Sequence, residues 1–415
     1  MNRLVLIGNG FDLAHKLKTS YKDFIYWYWE EKWREMAITY NPICEDELCR
    51  FEIINGDSKL WCNIYLDNYL RFKELKLKAI NIIDAIIKEK GRFSFKPVKF
   101  FENILKSIET KGWVDIENEY YKLLEQHTLG EYSEKKVAQL NGQLKYLQQL
   151  LTKYLAEINK QDKQLNEKIE REIYEPIRSS DISIEATTKL NEYIGWCKKQ
   201  EPQVWKFKLS KYEINDDLQD VEKFTMSFTK PQTYPRAYML PDNIMLLDFN
   251  YTKTGREYLR KNINIFSHIY IHGQLEAPDG MIFGYGDEFD DKFRRLQALN
   301  NNECLANIKT IRYQESDNYR KVLQFIESAP FQVCIMGHSC GNSDRTLLNT
   351  IFEHKNCISI KPYYYIKEDG TDNFIELIQN ISRNFNDMKL MRDRVVNKEY
   401  CEPLAGEKPG VVLMD

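Results

Sequence analysis

The sequence lacks the cysteine pattern of a metal-bound or disulfide-bonded framework. Its nine cysteines are odd in number, and no two of them form a Cys-x-x-Cys pair. This argues against a structural zinc ribbon and against a set of structural disulfides. A near balance of 59 basic and 62 acidic residues also gives no argument from overall charge for a nucleic-acid or membrane partner. We therefore expect reduced thiols and no bound metal.

Long apolar runs are missing as well. No window approaches the roughly 18 continuous apolar residues that a membrane-spanning helix needs. The apolar stretch at residues 4–7 is too short for a secretory leader, and it runs straight into Gly8. We expect a cytoplasmic protein.

Glycine and proline are scarce in the middle of the 415 residues. Only six glycines lie between Phe11 and Leu240, and no proline lies between Pro97 and Pro176. Because glycine and proline are frequent in turns and interrupt helices, their scarcity predicts long helices there and tight turns at the two ends. Apolar residues recur at steps of three and four through 60–196, as helices require.

The clearest helical pattern covers residues 133–174. Its apolar side chains form a heptad seam of about three repeats, made by Val137, Leu140, Leu144, Leu147, Leu151, Tyr154 and Ile158. With Ser133 as a cap and Pro176 as the stop, the pattern predicts one coiled-coil-like helix of about 40 residues, roughly 60 Å long. An intramolecular helical hairpin and a dimerisation arm both remain open.

Short apolar strands occur near both ends of the chain. They are predicted at residues 4–7, 244–249, 266–271, 281–283, 331–336 and 357–365. Helices alternate with them, which predicts an α/β fold with a mostly parallel sheet flanked by helices. We predict a first strand–helix unit at 1–50, an all-helical insertion at 51–240, the remainder of the α/β domain at 241–400 and a tail at 401–415.

Four of these strands end in polar or glycine clusters. In an open parallel sheet, ligands bind outside the carboxyl ends of the strands, so the clusters predict one shared site. They are Gly8-Asn9-Gly10-Phe11-Asp12, Asn250-Tyr251-Thr252, His272-Gly273 and Gly337-His338-Ser339.

The first cluster resembles a phosphate-binding turn only in part. Gly8 and Gly10 would let the backbone approach a phosphate at the start of the following helix. The third glycine of G-x-G-x-x-G is missing, since Leu13 stands there. A tight turn with a packing role remains the alternative. The charge of Asp12 would repel a phosphate, and suits a hydroxyl, an amide or a helix cap instead.

Two histidine-bearing segments also have competing interpretations. Residues 337–341 match the G-x-S-x-G nucleophile elbow, but only His354 follows Ser339, so the order of a serine triad is not met. A glycine turn with Asp344 capping the next helix is the alternative. His272 ends a strand and can accept a proton near neutral pH. His268, on the same face by strand parity, is expected to be buried support.

In order along the chain, these motifs resemble the AbiH-like family of bacteriophage abortive-infection proteins. The resemblance rests on both ends of the chain and on none of the helical middle. Its segments are residues 4–15, Ser20-Tyr21-Lys22-Asp23-Phe24, Asp248-Phe249-Asn250-Tyr251-Thr252, Ile271-His272-Gly273, Phe283-Gly284-Tyr285-Gly286, and Gly337-His338-Ser339 through Ser343-Asp344.

The same order is more remotely similar to sirtuin-like NAD-binding domains, which implies a Rossmann-like sheet and NAD as substrate or ligand. Asn250 and His272 would be the catalytic pair at the nicotinamide ribose. The implied cofactor-binding residues are Gly8, Asn9, Gly10, Phe11, Asp12, Tyr251, Gly337, His338, Ser339 and Asp344. The four-cysteine zinc ribbon of protein deacylases is absent from the sequence. That absence argues against protein deacylation. The resemblance to sirtuin-like defence domains, many of which hydrolyse the cofactor, implies hydrolysis of NAD to nicotinamide and ADP-ribose as the expected activity.

Two other classes of function remain open. The chain could be a nucleotide sensor without catalysis, whose helical insertion signals to a partner or forms a homo-oligomer. It could also be a serine hydrolase or a nuclease, although the basic residues are too scattered to support a nuclease.

Overall fold

The computed structural model of the chain describes residues 1–39, 41–53, 93–111, 115–129, 132–161, 163–212, 234–260, 265–277 and 280–406. Two compact units are present. The first, here called the sheet unit, comprises Met1–Leu17, Asp162–Ile282 and Thr310–Asp415. The second, here called the inserted unit, comprises Lys18–Gln161 and Phe283–Lys309. The predicted boundaries at residues 50 and 240 differ from these units.

The described strands fall into two sheets. A five-stranded sheet has the order β6-β5-β1-β7-β8 and a three-stranded sheet has the order β2-β3-β4. The strands are β1 (Asn2–Ile7), β2 (Ile43–Glu45), β3 (Cys49–Ile53), β4 (Phe93–Pro97), β5 (Ile244–Asp248), β6 (Ile265–Tyr270), β7 (Phe331–Met336) and β8 (Cys357–Tyr363).

The five-stranded sheet is parallel throughout, which confirms the predicted fold class at this level. Its central strand β1 pairs with β5 on one side and β7 on the other, so that Val5 lies beside Leu246 and Cys334. Counted along the chain, its strands have the order 3-2-1-4-5, as in doubly wound sheets. The connections reverse direction between β1 and β7, and a ligand crevice forms at that point in such sheets.

Both faces of this sheet are covered by helices, which is why every residue of β1 is buried. On one face Val5 and Ile7 belong to the same apolar cluster as Ile194 and Trp205, from the helices Thr187–Cys197 and Pro202–Lys211. The opposite face packs against helices Asn318–Ser328, Arg345–Phe352, Phe374–Arg383 and Met388–Arg394. Residues near 163–212, expected in the insertion, are therefore part of the sheet's core.

Arg3 joins this helical segment to the central strand. Its buried guanidinium donates to the carbonyl oxygens of Glu172, Ile173 and Glu175, at 3.1, 2.9 and 2.6 Å. These carbonyls end the helix Glu167–Tyr174, where a positive charge is favourable. The first strand thus fixes a helix that lies about 170 positions later in the sequence.

The inserted unit is mainly helical but contains the antiparallel sheet β2-β3-β4, so the prediction of an all-helical insertion is wrong. Asp46 turns the chain between β2 and β3, because its Oδ1 accepts the N–H groups of Leu48 and Cys49. Trp29 covers the sheet, with ring centroids 6.4 Å from Phe51 and 5.6 Å from Phe95. These strands have three to five residues, too short for a clear period of two.

The single helix of about 40 residues predicted over 133–174 is also wrong. It begins after Ser133, whose side chain accepts from Lys136 N–H as predicted, but it ends at Ile158. A second helix, Glu167–Tyr174, starts at Asn166, which accepts the N–H groups of Lys168 and Ile169. Asparagine is among the strongest N-caps, and that local preference divides the pattern.

The heptad seam itself is confirmed as a buried face. All seven of its residues are buried in the described chain. Tyr154 packs against Phe24 of the helix Tyr21–Thr39, and Tyr120 of the helix Ile116–Leu129 donates to Asn141 beside the seam. The seam is therefore covered within the inserted unit.

Several smaller elements complete the fold. Residues 281–283, predicted as a strand, join no ladder, although Ile282 N–H donates to the His272 carbonyl at 2.8 Å. The helix predicted at 254–261 is the 3-10 turn Thr254–Tyr258. Other described α-helices are Asn9–Ala14, Lys99–Lys111, Arg236–Met239, Asp291–Ala298 and Lys309–Arg312. No helix within the described ranges has the length and apolarity needed to cross a bilayer.

The seam offers the first test. Leu147→Ala should lower the free energy of unfolding by about 2–5 kcal/mol, because a fully buried leucine is truncated. Denaturant unfolding measures this, with exposed Gln149→Ala as the control. A seam buried within the chain predicts a loss that is independent of protein concentration. A concentration-dependent loss would indicate instead that the seam is buried between two chains.

Candidate functional site

The carboxyl ends of β1 and β7 meet through three glycines. Gly8 N–H donates to Met336 O at 3.2 Å, and Gly10 N–H donates to Gly337 O at 2.8 Å. A Cβ on Gly337 would lie 2.0 Å from Phe11 N, and one on Gly8 would lie 2.5 Å from the Cα of His338. Only residues without a side chain fit this contact, and Gly337 also has a φ of 76°.

This contact uses N–H groups that the phosphate hypothesis requires. Gly10 N–H is engaged by Gly337, and Phe11 N–H donates to the Gly8 carbonyl at 2.8 Å. The following helix, Asn9–Ala14, has only six residues. In this conformation the glycine turn therefore has the packing role that the sequence left as the alternative.

Asn250 fastens the end of β5 to the same turn. Its Nδ2 donates to the Gly8 carbonyl at 2.9 Å, and its backbone N–H donates to Asp248 Oδ1 at 2.9 Å. Among the described residues its Oδ1 makes no hydrogen bond. The amide oxygen is therefore the part of this side chain that can meet a ligand.

Asp12 lies beneath the turn and faces the residues after β5. Thr252 Oγ1 donates to its Oδ2 at 2.7 Å, while its buried Oδ1 has no hydrogen-bond partner among the residues that the structure describes. Burial raises the pKa of Asp12, and hydrogen bonds from Thr254 and Thr252 oppose that shift. The carboxyl group accepts a hydrogen bond from a hydroxyl, the kind of partner that the sequence suggested. That hydroxyl belongs to Thr252 of the chain itself.

Asp248 and His268 form a buried pair, with 3.0 Å between Asp248 Oδ2 and His268 Nε2. Burial raises the pKa of Asp248 to about 6, and His268 acts against this shift. His268 is a support for the strand ends, as predicted. Its expected position on the same face as His272 is wrong, because β6 ends at Tyr270 and the chain turns at Gly273 before parity can continue.

His272 lies on the other side, in a buried cluster with Asp344 and His338. Its Nε2 is 3.1 Å from Asp344 Oδ1, and Asp344 Oδ2 is 3.6 Å from His338 Nε2. The Tyr313 hydroxyl is 3.3 Å from His272 Nε2, and Phe249 packs between the two histidines. These contacts join residues that follow β5, β6 and β7 with Tyr313, which precedes the helix Asn318–Ser328.

The backbone after β7 holds His338 in a defined orientation. Cys340 N–H donates to His338 Nδ1 at 3.0 Å, so this nitrogen is an acceptor. Two side chains of the helix Phe374–Arg383 and its end hold the loop: Asn380 donates to Ser339 O, and Asn384 donates to Cys340 O, both at 2.9 Å. Cys340 itself has a φ of 54°.

The remaining predicted residues are more dispersed. Asn9 and Ser339 are exposed, and the Ser339 hydroxyl contacts no histidine within the described ranges. Phe11 is fully buried against His15 and Tyr258, at centroid distances of 4.9 and 5.4 Å. Tyr251 is buried and donates to the Ile282 carbonyl at 2.9 Å. The side chains of Phe11 and Tyr251 therefore belong to the core.

Sequence reasoning missed the partners of His272. Asp344 occupies the N-cap position of the helix Arg345–Phe352, but its side chain makes no cap hydrogen bond and faces the histidines instead. Tyr313 belongs to none of the sequence motifs. The available signal was that His272, His338 and Asp344 all follow strands whose carboxyl ends share one edge.

Two further features concern metal binding and cavities in the described part of the chain. No group of three or more His, Cys, Asp or Glu in the described part of the chain is arranged to hold a metal ion. A cavity of about 620 Å³ in the sheet unit is lined by Arg171, Glu175 and Arg178 among others, and by no predicted site residue. Its charges pair with one another, as in Arg171 with Glu175 at 3.2 Å.

Comparison with known families decides the relationship. The family model for bacteriophage abortive infection AbiH matches residues 4–365, which include every site residue predicted from the sequence. The chain belongs to the AbiH family. Membership indicates a role in phage abortive infection. Neither the curated proteins nor the solved structures give a match to this AbiH-family chain.

The glycine contact provides a matched pair of variants. Gly337→Ala and Gly370→Ala both place alanine at a φ near 80°, but only at Gly337 does a neighbouring atom obstruct the new Cβ. Gly337→Ala should be less stable than Gly370→Ala by at least about 1–3 kcal/mol, the usual cost of overpacking. Equal unfolding free energies in denaturant would contradict the close contact.

The buried Asp248 predicts a pH dependence of stability. Its pKa rises from 3.8 in the unfolded chain to about 6 when folded, so the folded chain binds this proton more tightly. The contribution of Asp248 to the free energy of unfolding is therefore most favourable at acid pH. It falls by up to about 3 kcal/mol as the pH rises through 6.

Asp248→Asn removes this titration and keeps an acceptor for Asn250 N–H. Between about pH 4 and 6 the unaltered chain should lose stability through this titration, whereas Asp248→Asn should not. The difference in unfolding free energy, variant minus unaltered chain, should therefore rise over this range. Urea unfolding at several pH values measures the difference, with exposed Asp291→Asn as the control. A flat difference for Asp248→Asn would rule out the raised pKa.

Proposed function

We propose that this AbiH-family chain acts in abortive infection by hydrolysing NAD to nicotinamide and ADP-ribose. The observation that carries the proposal is the placement of His272. It follows the third strand of a 3-2-1-4-5 parallel sheet, and its imidazole contacts a buried carboxylate. A base held by a carboxylate at this edge of the sheet is what a hydrolytic nucleotide site needs.

The reaction needs NAD and a water molecule held in position, and one base. The glycosidic bond of NAD breaks with its electron pair going to the nicotinamide ring, which leaves as a neutral molecule. A water oxygen bonds to the ribose carbon, and its proton passes to His272. Asn250 Oδ1, which no described residue engages, can orient that water or a ribose hydroxyl. No step of this hydrolysis changes an oxidation state, so the reaction as written requires neither a metal nor a redox cofactor.

Similarity to sirtuin-like domains is part of this proposal. It is supported by the strand order and by the positions of Asn250 and His272 after the second and third strands of the sheet. The glycine turn would receive the pyrophosphate only after Gly10 N–H exchanges Gly337 for the ligand. His338 and Ser339, in the loop after β7, would then face the adenosine side.

A nucleotide sensor without catalysis is the second candidate. One observation favours it: Gly10 N–H and Asn250 Nδ2 are both engaged by the chain itself. A nucleotide that displaced these contacts would change the loops after β1, β5 and β7 together. In this version the inserted unit passes the change to a partner or to a second copy of the chain.

The direct test measures nicotinamide released from NAD by the purified protein, with and without extract of phage-infected cells. His272→Ala should lower the release at least 100-fold, since general-base catalysis contributes about 10²–10⁴-fold. His127→Ala is the matched control, because that histidine lies in the inserted unit. Circular dichroism checks that each variant is folded.

The other outcomes separate the alternatives. Binding of NAD in calorimetry without release of nicotinamide would favour the sensor. An activity lost in Ser339→Ala but retained in His272→Ala would favour a serine hydrolase. Neither binding nor release under both conditions would overturn the proposal.

A further inference from the structure

We propose that Asp344 is the positioning residue of this site: its carboxylate holds His272 with the proton on Nε2, so that Nδ1 is the basic nitrogen. This inference rests on the proposed function for its catalytic consequence. Its structural part is argued from contacts within the buried cluster around Asp344, and it can be tested without any substrate.

The first argument is the orientation of the carboxylate. Asp344 stands at the N-cap position of the helix Arg345–Phe352, where an aspartate normally accepts backbone N–H groups. Here it makes no side-chain cap hydrogen bond. Oδ1 lies 3.1 Å from His272 Nε2 and Oδ2 lies 3.6 Å from His338 Nε2. The carboxylate is therefore directed at the two rings rather than at the helix.

The second argument is burial. The side chains of Asp344, His272 and His338 are 8, 6 and 6% exposed. A buried carboxylate is costly unless donors satisfy it, so each imidazole is expected to present an N–H to Asp344. For His272 that N–H is on Nε2, because this is the nitrogen facing Oδ1. The lone pair of the neutral ring is then on Nδ1.

His338 supplies an internal check on this assignment. Cys340 N–H donates to His338 Nδ1, so the proton of a neutral His338 must be on Nε2, the nitrogen that faces Asp344. The second N–H that faces Asp344 therefore belongs to a ring whose tautomer the backbone fixes, although the N–O distance of 3.6 Å is longer than a hydrogen bond. The Tyr313 hydroxyl, 3.3 Å from His272 Nε2, then accepts from the same N–H. The Tyr313 ring lies parallel to the imidazole, with 5° between the ring planes and 6.3 Å between the centroids.

The catalytic consequence follows from the tautomer. When water attacks the ribose carbon, its proton can pass to Nδ1 while Nε2–H stays with Asp344. The imidazolium formed in this step carries its charge beside the carboxylate, which stabilises it. A ring free to adopt the other tautomer would present an N–H where a lone pair is needed, so kcat should fall while KM is little affected.

The test uses the full-length protein labelled with ¹⁵N-histidine. Long-range ¹H–¹⁵N spectra report which ring nitrogen carries the proton, and loss of a signal set in His272→Ala assigns that ring among the six histidines. The unaltered protein should show His272 with Nε2 protonated and Nδ1 unprotonated. Asp344→Asn, which can donate as well as accept, should shift His272 to the other tautomer or to a mixture.

Glu327→Gln is the matched control, since Glu327 contacts His354 Nε2 at 3.1 Å on the surface. It should leave the His272 signals in place. In the nicotinamide assay, Asp344→Asn should lower kcat at least 10-fold with KM within about 2-fold. Glu327→Gln should change neither constant.

The outcomes are separable. A His272 ring protonated on Nδ1 in the unaltered protein would overturn the inference, and this measurement stands even if Asp344→Asn does not fold. An unchanged tautomer or an unchanged kcat in a folded Asp344→Asn would overturn it as well. The expected tautomers together with no nicotinamide release from the unaltered protein would uphold the positioning and reject the proposed function.

Discussion

The contact between the ends of β1 and β7 is the constraint on which the candidate site depends. Gly8 and Gly337 approach so closely that neither position has room for a Cβ. Because that contact fixes both loops, Asn250 can fasten to the Gly8 carbonyl, and His338 leaves Gly337 in a set direction. The glycines that resemble a phosphate-binding turn are thus first of all the means by which two strand ends meet.

Burial of charge is the second constraint, and it acts on both sides of the sheet's carboxyl edge. On one side Asp248 pairs with His268 beside Asp12, and on the other Asp344 pairs with His272 and His338. A buried carboxylate needs donors, and a neutral imidazole can offer one N–H while it keeps one lone pair. The first pair lies within the core and supports the strands. The second joins the loops after β6 and β7, where a base held in one orientation can take part in catalysis.

Much of the sheet could be predicted from the chain itself. β1, β5 and β7 are apolar runs that end at glycine or polar residues. These three strands, together with β6 and β8, were placed within two residues of their observed bounds. The short strands β2 to β4 were missed, because three to five residues with a local Asx turn carry no clear period. The long helix was overextended, because a heptad pattern does not show where a stronger cap such as Asn166 will restart a helix.

By itself the sequence determined which residues could carry chemistry, the parallel sheet and the AbiH family resemblance, since apolar periodicity and strand-end motifs are local properties. Only the tertiary structure decided what these residues touch. It turned Asp344 from a helix cap toward His272, used Gly10 N–H in a contact with Gly337, and placed Phe11 in the core. The reason is physical: these contacts join positions up to 327 residues apart, as Gly10 and Gly337 are, and their geometry is set by packing of strand ends rather than by any preference of the local chain.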